Sequence, residues 1–209
     1  MIPKEHLPER LDATFLTSAP DLKRCPKDET PEIAFAGRSN AGKSSVLNQL
    51  TGNRRTAKVS KTPGRTQLLN FFSLNQGGRL VDLPGYGYAK ASKNAQAQWQ
   101  AAVNHYLSHR DNLVELILVT DIRHPNQPYD QELLDWSAAS ELPMHVLLNK
   151  CDKLSRSAQD KALQAFKRQH QEHPCLSVQC FSALKGIGTA PLISHICDRL
   201  PQISAPDPS

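Results

Sequence analysis

The sequence is short of acidic residues in one long stretch. Between Glu32 and Asp82 there is no Asp or Glu, while Arg38, Lys43, Arg54, Arg55, Lys58, Lys61, Arg65 and Arg79 all fall there. No CxxC pair occurs among the five cysteines, Cys25, Cys151, Cys175, Cys180 and Cys197, which argues against a disulfide framework or a structural zinc site. No apolar run approaches the roughly 20 residues that a membrane helix needs, so no membrane partner is expected. The N-terminus "MIPKEHLPER" lacks the apolar centre of a secretory signal, which points to the cytoplasm. His105 and His109 would share a helix face, but the glutamate of an HExxH site is missing, so a surface or packing role outweighs metal binding. No internal repeat is present.

What is there suits one domain. The 209 residues are 39% hydrophobic and 22% charged, and carry a net charge of +5. The acid-free stretch contains "GNRRTAKVSKTPGR", a loop-like basic segment whose plain reading is a solvated surface. A polyanion partner is the favoured reading, because cationic patches gain affinity by releasing counterions from nucleic acid.

Strand and helix patterns alternate along the chain. "EIAFAG", "QLLNFFSL", "GRLVDLPG", "LVELILVTD", "PMHVLLNK" and "CLSVQCFSAL" read as strands. "KSSVLNQL", "NAQAQWQAAVNHYLSH", "YDQELLDWSAAS", "SRSAQDKALQAFKRQHQ" and "APLISHICDRL" read as helices. Trp99, Val103 and Tyr106 share one helix face, as do Leu163 and Phe166. Residues 1–30 form an N-terminal extension with a short strand, "ATFLTSA"; residues 31–200 form the domain; and the Pro- and Ser-rich tail 201–209 reads as disordered. The order implies an α/β fold, a mostly parallel sheet with helices on both faces and a ligand at the carboxyl ends of its strands.

Three segments carry chemistry. "GRSNAGKS", Gly37 to Ser44, joins a strand to a helix with the GxxxxGK[ST] spacing of a phosphate loop. Gly37 and Gly42 let successive N–H groups face an anion, and the helix N-terminus adds partial positive charge. Lys43 is expected to reach the β- and γ-phosphates, and the Ser44 hydroxyl to ligate Mg²⁺. "DLPG" places Asp82 where it can hold Mg²⁺ through water and Gly85 where its N–H can sense a γ-phosphate.

"LLNKCD" supplies Asn149, Lys150 and Asp152 after an apolar strand. A carboxylate only accepts, so Asp152 can pair with both N1–H and the 2-amino group of guanine, whereas adenine would leave it unpaired. Asn149 can bridge the base edge and neighbouring loops, the Lys150 stem can cover the ring, and "FSALK" places Ser182 and Ala183 where a backbone N–H would meet O6. The base is read as guanine, which also argues against an ATP-dependent kinase.

With these segments the sequence resembles the EngB (YihA/YsxC) family of translation-factor-related, Ras-like P-loop GTPases. The resemblance runs through "FAGRSNAGKSS", "KTPGRTQ", "LVDLPGYGYAK", Asp121 to His124, "NKCDKL" and "FSALKGIG". It implies a single GTPase domain with a sheet of about six strands, a bacterial cytoplasmic location, hydrolysis of GTP to GDP, and a switch role in large ribosomal subunit assembly with rRNA and ribosomal proteins as partners. It also implies a link to normal cell division and septation. The contacts it implies for GTP are Gly37, Arg38, Ser39, Asn40, Ala41, Gly42, Lys43 and Ser44; Gly64, Arg65, Thr66, Gln67 and Leu68; Asp82, Leu83, Pro84 and Gly85; Asn149, Lys150, Cys151 and Asp152; and Phe181, Ser182 and Ala183. Mg²⁺ falls on Ser44 and Thr66, with Thr66 preferred to Thr62 because "PGRTQ" matches the PGxT placement of related GTPases.

Lys43, Thr66 and Gly85 are the catalytic candidates. Tyr86 stands where Ras-like enzymes carry the water-orienting glutamine. A phenol cannot copy an amide's paired donor and acceptor, so a slow intrinsic rate is expected, with Tyr86 packing or ordering the loop. Asn40 either helps to coordinate K⁺, as in related GTPases with Asn at this position, or only shapes the loop. The alternative to a hydrolysing switch is a nucleotide-sensing module that recruits division or assembly partners with negligible turnover. The chain is expected to act as a monomer.

Overall fold

A computed structural model of the chain describes residues 8–52, 68–86 and 93–200, with side chains in the first turns of α2 (93–99) not included. Its centre is β2 (Glu32–Gly37), buried at every position. The strand alternates its faces as a pleat must. Ile33 and Phe35 enter one apolar layer with Val46, Leu47 and Leu50 of α1 (Lys43–Thr51) and Leu192, Ile193 and Ile196 of α5 (Thr189–Arg199). Ala34 and Ala36 enter the other, with Val103 and Tyr106 of α2 (Lys93–His109), Leu133 and Leu134 of α3 (Pro128–Ala139) and Phe166 of α4 (Arg156–Gln169). Each such Leu, Ile or Phe contributes about 1.5–3 kcal/mol by leaving water.

The sheet has seven strands in the order β1-β3-β4-β2-β5-β6-β7. The remaining strands are β1 (Ala13–Ala19), β3 (Leu69–Leu74), β4 (Arg79–Asp82), β5 (Leu113–Asp121), β6 (Met144–Asn149) and β7 (Leu176–Cys180). From β4 to β7 every pairing is parallel; β3 runs against both β1 and β4. The count exceeds the six or so strands implied by the resemblance because the short strand "ATFLTSA" joins the sheet, pairing along β3 from Ala13↔Leu74 to Ala19↔Leu69 as its edge strand. Chain connections diverge on the two sides of β2, and the crevice at its carboxyl end is where such sheets bind ligands.

Local sequence sets the helix starts. Ser155 caps α4 by accepting from the Ala158 N–H at 3.4 Å, and Pro128 opens α3, where its missing N–H costs nothing.

At the amino end of β2 lies a buried ion cluster. Glu32, fully buried, accepts from Arg79 Nη1 at 2.8 Å, from Arg110 at 2.6 and 2.8 Å and from the Tyr106 hydroxyl at 2.8 Å. Arg79 also grips Asp28 at 2.8 Å. Arg79 is therefore neutralised inside the fold and does not join the basic surface suggested by the acid-free stretch. Arg54, Arg55, Lys58, Lys61 and Arg65 lie outside the described residues, as do the Trp99 side chain and the tail 201–209.

Candidate nucleotide-binding site

The phosphate loop leaves β2 at Gly37, where an added Cβ would lie 2.6 Å from the Val119 carbonyl; only a residue without a side chain lets β2 and β5 stay this close here. Gly42 caps α1 with φ of +100°, a left-handed conformation. A Cβ there would meet Asn149 Nδ2 at 2.4 Å. Asn40 is also left-handed, with φ of 69°. That backbone fits its loop-shaping reading.

Lys43 and Asp82 pair side chain to side chain at the carboxyl ends of β2 and β4, both largely buried. Ser44 is exposed at the start of α1. A serine hydroxyl and a carboxylate are hard oxygen donors of the kind that suits Mg²⁺. Leu83 sits under the site, its N–H bonded to the Phe35 carbonyl at 3.0 Å, and Pro84 leads to Gly85. Gly85 packs on the loop, so that an added Cβ would lie 3.4 Å from the Gly37 carbonyl.

The base-reading end follows the next strands outward. Asn149 ends β6, 2% exposed, and donates Nδ2 to the Ala41 carbonyl at 2.8 Å. Its Oδ1 accepts from the Ala183 N–H at 3.4 Å. One amide thus ties the phosphate loop to the loop after β7. Lys150, left-handed at φ 61°, sends Nζ to the Asn40 carbonyl at 2.6 Å and to Asp121 at 3.1 Å. Asp121 is held well below the usual carboxylate range, first by the Arg123 guanidinium bonded to it. Cys151, fully buried, bonds its N–H to the Phe181 carbonyl at 3.0 Å, which staples the two base-side loops together.

Asp152 accepts from the Ser182 hydroxyl at 2.6 Å and faces Lys153 Nζ at 3.3 Å. Ser182's hydrogen bond, then Lys153, lowers its carboxyl pKa, so it is an ionised acceptor near neutral pH. Ser182 is fully buried and also accepts from the Lys185 N–H at 3.2 Å, so the carboxylate stands on a fixed support.

The structure thus brings Gly37 to Ser44, Asp82 to Gly85, Asn149 to Asp152 and Phe181 to Ala183 to one edge of the sheet. Leu68 directly precedes β3, while Gly64, Arg65, Thr66, Gln67 and the competing Thr62 lie outside the described residues. Tyr86 is 5% exposed, its ring 4.5 Å from Tyr129 and its hydroxyl bonded to Asp130. Burial, then Asp130, pushes its pKa well above the ordinary phenol range. It packs, as its lack of an amide led us to expect. No motif in the sequence marks Asp130. His105 and His109 place their rings 4.4 Å apart on α2, with His109 Nδ1 3.1 Å from the His105 carbonyl.

The sequence profile of the family described as "50S ribosome-binding GTPase" matches residues 32–150. A protein from Aromatoleum aromaticum named "Probable GTP-binding protein EngB" is 52% identical over 178 residues, 85% of this chain and 82% of the relative. Another of that name, from Vibrio parahaemolyticus, is 44% identical over 196 residues, 88% and 90% of the two chains. Among solved structures, a probable GTP-binding protein engB superposes with a TM-score of 0.66 at 23% identity, over 80% of this chain and 97% of that one, a likeness of fold. With the phosphate loop and Asp152 at the same ends of the strands, these matches establish that the chain belongs to the EngB family of P-loop GTPases.

Proposed function

We propose that this GTPase is a switch acting in assembly of the large ribosomal subunit, with GTP held between Lys43 and Asp152. The observation that carries the nucleotide site is the Asn149 bridge, which makes one pocket of the phosphate loop and the base loops. N–H groups of Gly37 to Ser44 grip the phosphates, Lys43 exchanges Asp82 for β- and γ-oxygens, and Asp152 selects guanine. Ser44 and Thr66 would hold Mg²⁺, which when bound would supply positive charge to offset that of the phosphates. Gly85 turns its N–H to the γ-phosphate. Lys43, Thr66 and Gly85 form the catalytic set, and Gly64, Arg65, Gln67 and Leu68 flank the nucleotide.

Tyr86 supplies no amide to orient water, so the intrinsic rate is slow and a ribosomal particle accelerates it. Asn40 is the residue on which a K⁺ effect would depend; equal turnover in K⁺ and Na⁺ buffers removes that ion from the account. The ribosomal partner is supported by membership of a family described as 50S ribosome-binding and by the basic stretch Arg54 to Arg65, whose charge suits rRNA phosphates. The cytoplasmic setting and the link to division and septation rest on the same membership.

Co-sedimentation with large-subunit particles tests this reading. Binding should be stronger with a non-hydrolysable GTP analogue than with GDP and should weaken steeply with salt. Equal binding in both nucleotide states would refute the switch.

A further inference from the structure

We propose that Asp130 is a positioning residue for GTP hydrolysis, which through Tyr86 pins the end of the phosphate-sensing turn against the phosphate loop. The proposal rests on the reading of Gly85 as the sensor of the third phosphate.

Asp130 is the third residue of α3 and 1% exposed. Burial raises the Asp130 carboxyl pKa above its ordinary range, and a carboxylate so buried is costly unless donors meet it. Two hydroxyls do. The Tyr86 hydroxyl bonds to Oδ1 and the Thr120 hydroxyl donates to Oδ2 at 2.9 Å. Thr120 comes from β5, so Asp130 is fixed by two elements before it meets Tyr86.

Tyr86 is held at both ends. Its carbonyl accepts from the Ser39 N–H of the phosphate loop at 2.6 Å, and the residue bridges Arg38 in parallel β fashion. Gly85 stands between this pin and β4, with an added Cβ only 3.6 Å from the Ser39 nitrogen. Without the Tyr86–Asp130 bond the ring loses its fixed seat, and Gly85 loses the side-chain anchor that holds its turn in alignment. Misplacement of about 1 Å costs about 100-fold in rate where chemistry depends on alignment. Tyr86 meets Ser39 of the phosphate loop through its backbone carbonyl, a bond that side-chain variants retain, and neither Tyr86 nor Asp130 touches Asp152 or the N–H groups at the start of α1, so ground-state binding should be spared.

The test is single-turnover and steady-state GTP hydrolysis by Tyr86→Phe, Asp130→Asn and the double variant. Each rate is normalised to the GDP bound per chain, so that misfolded material does not count. Each single variant should lose at least about tenfold in kcat, with KM for GTP and Kd for GDP within about twofold. The double variant should be no worse than the weaker single, because both break one link. Thr120→Val, which removes a different donor from Asp130, should give a smaller loss of the same kind. Unchanged kcat in Tyr86→Phe, additive losses in the double variant, or KM rising in step with falling kcat would each overturn the latch. Should the unmodified chain hold ATP as tightly as GTP, the site reading falls and the proposal with it; normal guanine preference with unaltered kcat in the variants sinks the latch alone.

Discussion

In the proposed function a single side chain, Asp152, selects the base. Its carboxylate is the only acidic acceptor offered by "NKCD", and guanine is the purine with two donors on that edge. Asp152→Asn should weaken GTP by at least about tenfold, since hydrogen bonds to charged groups contribute about 1.5–3 kcal/mol each. The same variant should favour xanthosine triphosphate, measured by competition calorimetry. The proposal of this role was legible in sequence because it follows from donor and acceptor chemistry alone. The Ser182 support was not, since it depends on β6 and β7 ending side by side. Nor was the Tyr86–Asp130 contact, whose partners stand 44 residues apart and meet only when α3 docks beside the turn.

At the scale of elements, the phosphate loop and the base loop constrain each other. Gly42 must be left-handed and must leave room for the Asn149 amide. In Gly42→Ala the new methyl forces Asn149 off the Ala41 carbonyl, adding to a left-handed penalty of about 1–2 kcal/mol. Both GTP and GDP affinity should fall, by about tenfold or more in titration calorimetry, with a lower melting temperature. The element order was readable because apolar runs of the right length alternate with amphipathic ones; "LVELILVTD" is the whole of β5. The seventh strand was harder to place. "ATFLTSA" shows its own strand character, but the edge it joins is set by β3, which is more than fifty residues away in sequence.

For the whole molecule, acid sensitivity follows from a buried histidine beneath α5. His145 is 4% exposed, stacked 4.2 Å from the His195 ring and bonded to Ser177 and Gln179 at 2.6 and 3.1 Å. His195 in turn meets the buried Glu115 at 2.8 Å, and Arg199 also lies near that acid. Burial, then the neighbouring His195, lowers the His145 pKa from 6.5 to about 4. Between those values the unfolded chain binds the extra proton, so stability is full above about 6.5 and is lost as pH falls towards about 4. The loss amounts to about 3 kcal/mol at 1.36 kcal/mol per unit. Urea unfolding at pH 7, 5.5 and 4 should show it, and His145→Gln should flatten the curve.

The central strand has a contrast between its ends. At Glu32 it is bolted by buried ions, and at Gly37 it gives way to a loop without acids. If the loop end takes up and releases nucleotide as proposed, the Glu32 end offers a bonded footing from which that loop is held.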